Sequence, residues 1–320
     1  MSISVIIPTF KRSNDLNRLF DSLTYQALKP NEILVVIGPG DKDSIAVATK
    51  WSSKLPEMQV IECKKPSVVH SLNTGLSSAS GTIICLIDDD VWLPPDWALK
   101  ISNAYKANRN LGAYGGRDHL QLSNEPHLSD PPLALTVGMF QWNGSLIGNH
   151  HCGSVNSPVG VDVLKGVNLS FRRDALPGMQ IEQGLEGHGA ETCWEVDICQ
   201  RVKLAGYDVV YDNNNNVLHY ASPRLNTDNR TDLFSPAWNG RLFNESLVIA
   251  KFRDSKELFF YSMRTLLVGY RLQPGLVWSV LLLPKYGVNV LKIPFSNARY
   301  LVKGIKFGFK RRRDLDVTIS

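Results

Sequence analysis

Residues 3–9, Ile-Ser-Val-Ile-Ile-Pro-Thr, are an almost unbroken apolar run that gives way to Lys11, Arg12, Ser13 and Asn14. Such a run, without strict alternation, predicts a strand buried on both faces, as in a parallel α/β sheet. Residues 15–27 carry Leu16, Leu19, Phe20 and Leu23 at helical spacing and end before Pro30, which predicts a helix. A second strand over 32–37 enters the turn-forming Gly38-Pro39-Gly40-Asp41. Residues 44–53 predict a helix, 59–63 a third strand, and 67–78 a helix closed by Gly81. Residues 83–87, Ile-Ile-Cys-Leu-Ile, predict a fourth buried strand, and Asp88, Asp89 and Asp90 follow at once. Alternating strands and helices with short loops predict a parallel sheet with right-handed crossovers. Ligands of such sheets bind beyond the carboxyl ends of the strands, where Thr9, Asp41 and the three aspartates would gather.

Beyond residue 110 the pattern loosens, and 118–160, rich in Gly, Asn, His, Ser and Pro, predicts a long surface excursion. Regularity returns at 166–173, Gly-Val-Asn-Leu-Ser-Phe-Arg-Arg. A helix is expected over 195–205 with Gly206 after it, then a strand over 207–211 and a polar turn at 213–216. Near the C-terminus Arg299, Lys303, Lys306, Lys310 and Arg313 fall on one helical stripe, while Leu301, Val302, Ile305 and Phe309 share another face. A basic amphipathic helix predicts a membrane-surface element. Gly304 and Gly308 lower its propensity, so it is expected to order on lipid. Nucleic acid is the rival partner for a basic tail. The apolar stretch 258–283 favours lipid instead, or a packed helical subdomain.

At 320 residues, 43% hydrophobic and 20% charged, the chain is a folded protein with room for one large α/β domain and an appendage, or for two domains. Its net charge of +5 is unevenly placed: residues 258–313 hold eleven Lys plus Arg and no acid, leaving −6 on the remainder. Cysteines 63, 85, 152, 193 and 199 form no CxxC pair, which argues against a disulfide framework or structural zinc and for a reducing compartment. The adjacent His150-His151-Cys152 cannot wrap one ion and is taken as loop. Cys199 is expected to be a buried bystander. The start leads straight into a strand, so no secretory leader is expected, and the sequons at Asn143, Asn168, Asn229 and Asn244 carry little weight. The longest apolar segment, 276–283 between Pro274 and Pro284, is far below the ~18 residues of a spanning helix.

The acidic cluster carries the candidate chemistry. With strand-like alternation Asp88 and Asp90 point one way and Asp89 the other. Two carboxylates on one side, past a buried strand, suit a hard divalent cation and its phosphate ligand. The competing reading is a polar turn that caps the next helix.

In this order, the segments Val5-Ile6-Ile7-Pro8-Thr9-Phe10-Lys11-Arg12, Glu32-Ile33-Leu34-Val35-Val36, Leu72-Asn73-Thr74-Gly75, Ile87-Asp88-Asp89-Asp90, 166–173 and Trp194-Glu195-Val196-Asp197-Ile198-Cys199-Gln200-Arg201 resemble glycosyltransferase family 2. The resemblance covers residues 3–222. It implies an α/β, GT-A fold: a Rossmann-like nucleotide-binding parallel or mixed sheet flanked by helices, over 1–225, with a C-terminal helical, basic extension over 226–320. It places Pro8 and Thr9 at the nucleoside, Arg12 at a phosphate, and Mg²⁺ or Mn²⁺ on Asp88 and Asp90. Asp89 then caps the following helix or touches the donor sugar, and Asn168 lies near the donor. Asp41 stands in, from a shifted position, for the family's acidic base-binding residue. Asn73 follows Leu72 where many relatives carry Arg-Asn, so its own role is donor contact, capping or packing. His219 is a further metal ligand or a packed strand residue. Glu195 takes the catalytic-base position, with Glu191 and Asp197 as competitors, and Trp194 stacks on a sugar or fills the core.

The resemblance implies metal-dependent, inverting transfer of a sugar from a nucleotide-sugar donor, expected to be a UDP-sugar, to a glycan or polyprenyl-lipid-linked acceptor. The expected location is cytoplasmic, peripheral at the inner membrane face, with the membrane surface met through the basic C-terminal segment and no nucleic acid bound. The alternative is a catalytically silent GT-A module that binds nucleotide sugar or glycan as a scaffold. A nucleotidyltransferase ranks lower, because the first loop lacks a Gly-rich phosphate cradle.

Overall fold

The computed structural model describes residues 1–121, 132–187, 189–220, 222, 229 and 232–319. The chain forms two compact units. The first comprises 1–139, 147–183 and 195–223, and the second 140–146, 184–194 and 224–320. The expected boundary at 225/226 lies outside the described residues. The units differ from the expected contiguous division, because two short segments from the first two-thirds of the sequence belong to the C-terminal unit.

In chain order the elements up to residue 219 are β1 (Ile3–Thr9), α1 (Ser13–Thr24), β2 (Glu32–Ile37), α2 (Lys42–Trp51), β3 (Met58–Glu62), α3 (Val68–Ser78), β4 (Ile83–Ile87), β5 (Val91–Trp92), α4 (Trp97–Ala107), β6 (Leu111–Gly115), β7 (Asp118–Leu120), β8 (Met139–Phe140), β9 (Leu146–Ile147), β10 (Val159–Gly160), β11 (Asn168–Arg172), α5 (Trp194–Leu204), β12 (Asp208–Tyr211) and β13 (Val217–His219). The main sheet runs β10-β12-β6-β11-β4-β1-β2-β3 among the described residues. Strands β3, β2, β1 and β4 are parallel, while β11 runs antiparallel between β4 and β6. The sheet is therefore mixed, with its switch in direction at β4. That switch sets Asn168 opposite Ile87, next to the acidic turn.

Every residue of β2 and β4 is buried, the physical reason their sequences do not alternate. Leu16, Leu19, Phe20 and Leu23 of α1 join Trp97, Ala98 and Ile101 of α4 in one core with Ile3, Val5 and Ile7. Each of the leucines, isoleucines, valine and phenylalanine among them contributes roughly 1.5–3 kcal/mol by leaving water. On α3, a Cβ at Gly75 would come within 2.4 Å of Ile6 Cγ2, so glycine lets this helix lie close on β1. One acid is buried within the sheet: Glu32 accepts from Ser4 Oγ at 2.5 Å and from the Ser80 amide at 3.0 Å.

The surface excursion expected from residue 118 begins instead with a strand. β7 pairs parallel with β13, which pairs antiparallel with β5. Three residues are too few to show a period, so sequence gave no strand signal there. Residues 122–131 of that segment lie outside the described set.

The second unit holds α6 (Pro236–Phe252), α7 (Ser255–Leu267), the paired β14 (Gly269–Tyr270) and β15 (Gln273–Pro274), α8 (Leu276–Tyr286), a 3-10 turn (Val288–Lys292) and α9 (Ile293–Ile319). The segment 184–194 is tied in by Asn244, which donates to the Glu186 carbonyl at 2.7 Å and accepts from the Glu186 amide at 2.7 Å. The expectation that α9 is a loosely specified helix awaiting lipid needs correction. A Cβ at Gly304 would stand 2.1 Å from Ser246 Oγ, and one at Gly308 2.4 Å from the Leu247 carbonyl oxygen. The two glycines are where α9 presses on α6, and Leu301 is buried beside Leu242 and Ile249. Among the described residues no helix is long and apolar enough to cross a membrane.

Candidate active site

The loop after β1 and the turn after β4 meet side by side. Thr9 Oγ1 donates to Asp89 Oδ2 at 2.7 Å, and Arg12 Nη1 reaches Asp89 Oδ1 at 3.0 Å and Asp90 Oδ2 at 3.3 Å. Asp89 thus faces the β1 loop and does not cap α4, whose N-cap is Asp96. The loop itself is forced. Lys11 has φ 59°, a left-handed conformation unusual for a lysine, and its amide donates to Asp41 Oδ2. The other oxygen of Asp41 accepts from the Ser44 amide at 3.2 Å as the N-cap of α2. Asp41 therefore serves two backbone amides and ties the β1 loop to the start of α2. Gly38 makes room for Phe10, whose ring would lie 2.3 Å from a Cβ there.

On the other side of the turn, β5 pairs with β13 and brings His219 opposite Val91. His219 Nε2 is 3.2 Å from Asp90 Oδ1, and its Nδ1 is 3.4 Å from Asp118 Oδ2. Asp118 is almost fully buried and also pairs with Lys165. The Ser222 amide donates to Asp90 Oδ2 at 3.1 Å, and its hydroxyl to Asp15 at 2.5 Å. Asp118, Lys165 and Ser222 were missed in the sequence: none sits in a motif, and the β7–β13 pairing, the segment entering β11 and the chain's return past β13 respectively bring them here.

The charges are strongly perturbed. Burial and then the charge of Asp90 push the Asp88 carboxyl up to about 6, and burial pushes Asp89 up to about 7 against the pull of Arg12. Burial works the same way on Asp90, but His219, the Ser222 amide and Arg12 override it and hold Asp90 below the ordinary carboxylate value. His219 is lowered by burial and raised more by its bonds to Asp118 and Asp90, ending at about 9. The imidazole is therefore cationic at neutral pH in this state.

One ligand atom from each of Asp88, Asp90 and His219 lies within 4.8 Å of the others. Two carboxylates and an imidazole fit Mn²⁺ or Mg²⁺, hard to borderline cations that accept oxygen and nitrogen donors.

The remaining candidates are placed as follows. Asn168 is buried, accepting from Trp97 Nε1 at 3.0 Å and donating to the Asn215 carbonyl at 2.5 Å. Asn73 is paired both ways with the backbone of Ile181, donating at 3.1 Å and accepting at 2.8 Å. Both asparagines spend their amides on protein, and they brace the walls. Asp197 is fully buried, accepts from the Glu182 amide at 3.1 Å and pairs with Arg201 at 3.6 Å. Glu195 is half-buried in the first turn of α5, where a helix N-terminus favours its carboxylate. Glu191 belongs to the second unit, and Trp194 is buried. Cys199 is buried with its thiol pushed up to about 12 by desolvation, an inert neighbour. Buried His150 bonds the Val163 carbonyl.

A mixed sheet with its loops gathered at the carboxyl ends of β1, β2 and β4 defines the GT-A class of α/β protein. Solved structures share it. A mannosyltransferase from Pyrobaculum calidifontis, in complex with GDP-Man and Mn²⁺, superposes with TM-score 0.54 at 16% identity, over 97% of this chain and 87% of that one. TarS residues 1–349 of S. aureus, in complex with UDP, gives TM-score 0.57 at 13% identity, over 96% and 90%. Residues 4–157 match the family described as glycosyl transferase family 2, and the chain is a glycosyltransferase. Among curated relatives, a glucosyl-dolichyl phosphate glucuronosyltransferase of Haloferax volcanii is 23% identical over 227 residues, 68% of this chain and 69% of that protein. The other curated relatives are matched over at most 39% of their length.

Proposed function

We propose that the protein transfers a sugar, with inversion, from a nucleotide-sugar donor to a glycan or polyprenyl-lipid-linked acceptor at the cytoplasmic face of a membrane. The observation that carries this reading is the convergence of Asp88, Asp90 and His219 beyond the carboxyl end of β4, beside the constrained Pro8-to-Arg12 loop. The acceptor class is supported by the likeness to a haloarchaeal enzyme named for a dolichyl phosphate substrate.

The Pro8–Thr9 backbone, shaped by Asp41, binds the nucleoside. Arg12, fixed by Asp89 and with part of its side chain exposed, meets the diphosphate. Asn73 and Asn168 support the donor pocket through the backbone they hold. Asp88, Asp90 and His219 would hold a divalent cation, which would supply charge neutralisation for the departing nucleoside diphosphate. Glu195 takes the proton from the acceptor hydroxyl as it attacks the anomeric carbon. Asp197 is less suited, because its carboxylate already holds Glu182 and Arg201.

The test is nucleotide release from UDP-, GDP- and dTDP-sugars with Mn²⁺ or Mg²⁺, comparing wild type with Asp90→Ala, alongside metal-dependent nucleotide binding. Turnover of one donor that is lost in the variant upholds the reading and names the donor. Neither turnover nor binding would leave a glycan-binding scaffold.

A further inference from the structure

The sequence assigns membrane contact to the basic stripe and apolar face of α9, but the structure has used much of that helix. Leu301, Gly304 and Gly308 are spent on α6, Lys303 pairs with Glu186, and Arg312 donates to the Arg253 carbonyl. A different surface of the same unit is left uncovered. On α8, Leu276, Val277, Val280 and Leu281 lie on one side of the helix and are 49–62% exposed, while Ser279 and Leu282 on the opposite side are buried. The next turn adds Val288 at 74% and the start of α9 adds Phe295 at 75%. These elements pack together: Leu282 and Val290 share a small core with Leu233, against which Trp278, Leu283, Tyr286 and Ile293 lie. The six exposed apolar side chains thus lie on elements that share one small core.

We infer that this face of α8, the 3-10 turn and the start of α9 is the membrane-docking surface, and that its partner is an anionic lipid bilayer. Two observations select that partner. Arg271, Lys285, Lys292 and Arg299, all exposed, lie on or next to these elements, and no acid occurs anywhere in residues 258–313, so the surface complements negative headgroups. At 11 residues α8 is about half the length needed to span, so it lies in the interface plane. A cavity of about 390 Å³ in the same unit, with Leu272 and Ile293 beside Lys292, Asn289 and Asn297 in its walls, sets a polar recess among these elements. The inference deepens the membrane part of the proposed function, and it stands or falls separately from the sugar chemistry.

The experiment is flotation of the full chain with phosphatidylcholine vesicles, with and without phosphatidylglycerol. Wild type is expected to float with the mixed vesicles. Val280→Ser/Leu281→Ser/Phe295→Ser, at exposed positions that leave the fold intact by circular dichroism, is expected to bind on the order of tenfold or more weakly. Lys285→Glu/Lys292→Glu is expected to lose the preference for phosphatidylglycerol, and Asp90→Ala to float like wild type. Undiminished flotation of the serine variant would overturn the assignment. So would loss of flotation only on changing Lys306 and Lys310 of the α9 stripe. A lipid-independent dimer in light scattering that the serine variant dissolves would also overturn it, making a second copy of the chain the occupant. Nucleotide release by the serine variant toward water stays at the wild-type level, so a failed docking result and a failed transferase reading are told apart.

Discussion

Thr9 Oγ1 donates to Asp89 Oδ2 across 2.7 Å, joining the end of β1 to the middle of an acidic turn eighty positions later in the chain. This bond, with Arg12, turns Asp89 toward the β1 loop while Asp88 and Asp90 face His219. Thr9→Val keeps the shape and removes the donor, leaving a buried carboxylate with less support. The expected cost is roughly 1–3 kcal/mol in urea unfolding, with a raised KM for the donor because the loop loses its tether. An unchanged KM would show that the bond is structural only.

His219 sets a pH dependence whose sign is fixed. Its folded value, about 9, lies above the ordinary histidine value of 6.5. The ion pairs with Asp90 and Asp118 therefore stabilise fully below about 6.5, and that contribution is lost as pH rises through about 9. Urea unfolding of metal-free protein across this window is expected to show the loss in wild type and not in His219→Asn.

Metal binding must displace the same proton. Mn²⁺ affinity is expected to rise with pH up to about 9, and calorimetry at neutral pH in buffers of different ionisation enthalpy should report proton release. Release that persists in His219→Asn would assign the proton elsewhere.

Glu195 and Asp197 are two residues apart on α5 and are expected to respond differently. Glu195→Gln should reduce kcat by about 10²–10⁴-fold with little change in stability. Asp197→Asn should chiefly destabilise, by roughly 1–3 kcal/mol, because it weakens a buried acceptor held by Glu182 and Arg201. The reverse pattern in kcat and urea midpoint would exchange the two roles.

Gly304→Ala tests two opposed effects. Helix propensity alone favours alanine by about 1 kcal/mol. The added methyl meets the Phe243 carbonyl oxygen at 2.4 Å, however, and overpacking of that kind costs roughly 1–3 kcal/mol. A lowered melting temperature is expected, and a raised one would mean that α6 and α9 are not pressed together.

Much of the first unit was legible because its strands are buried on both faces. The run at β4 and the carboxylates after it are a local signal, and so is the helical spacing of Leu16, Leu19, Phe20 and Leu23. What could not be read depends on partners far along the chain. Asp118 became part of the site only through β7 and β13. Asn73 was open between donor contact, cap and packing, and its amide is on Ile181, 108 positions away. Asp41 stood where a base-binding acid was expected, but its two oxygens hold Lys11 and Ser44. Glycine has one sequence meaning as a weak helix former, and Gly304 and Gly308 carry another as points of helix contact.

That contact changes what the end of the chain is. A protein shortened before Gly304 would not be shedding a flexible appendage. It would open an inner wall, baring Phe243, Leu247 and Ala250 along the flank of α6, and a truncation meant to improve solubility would work against it.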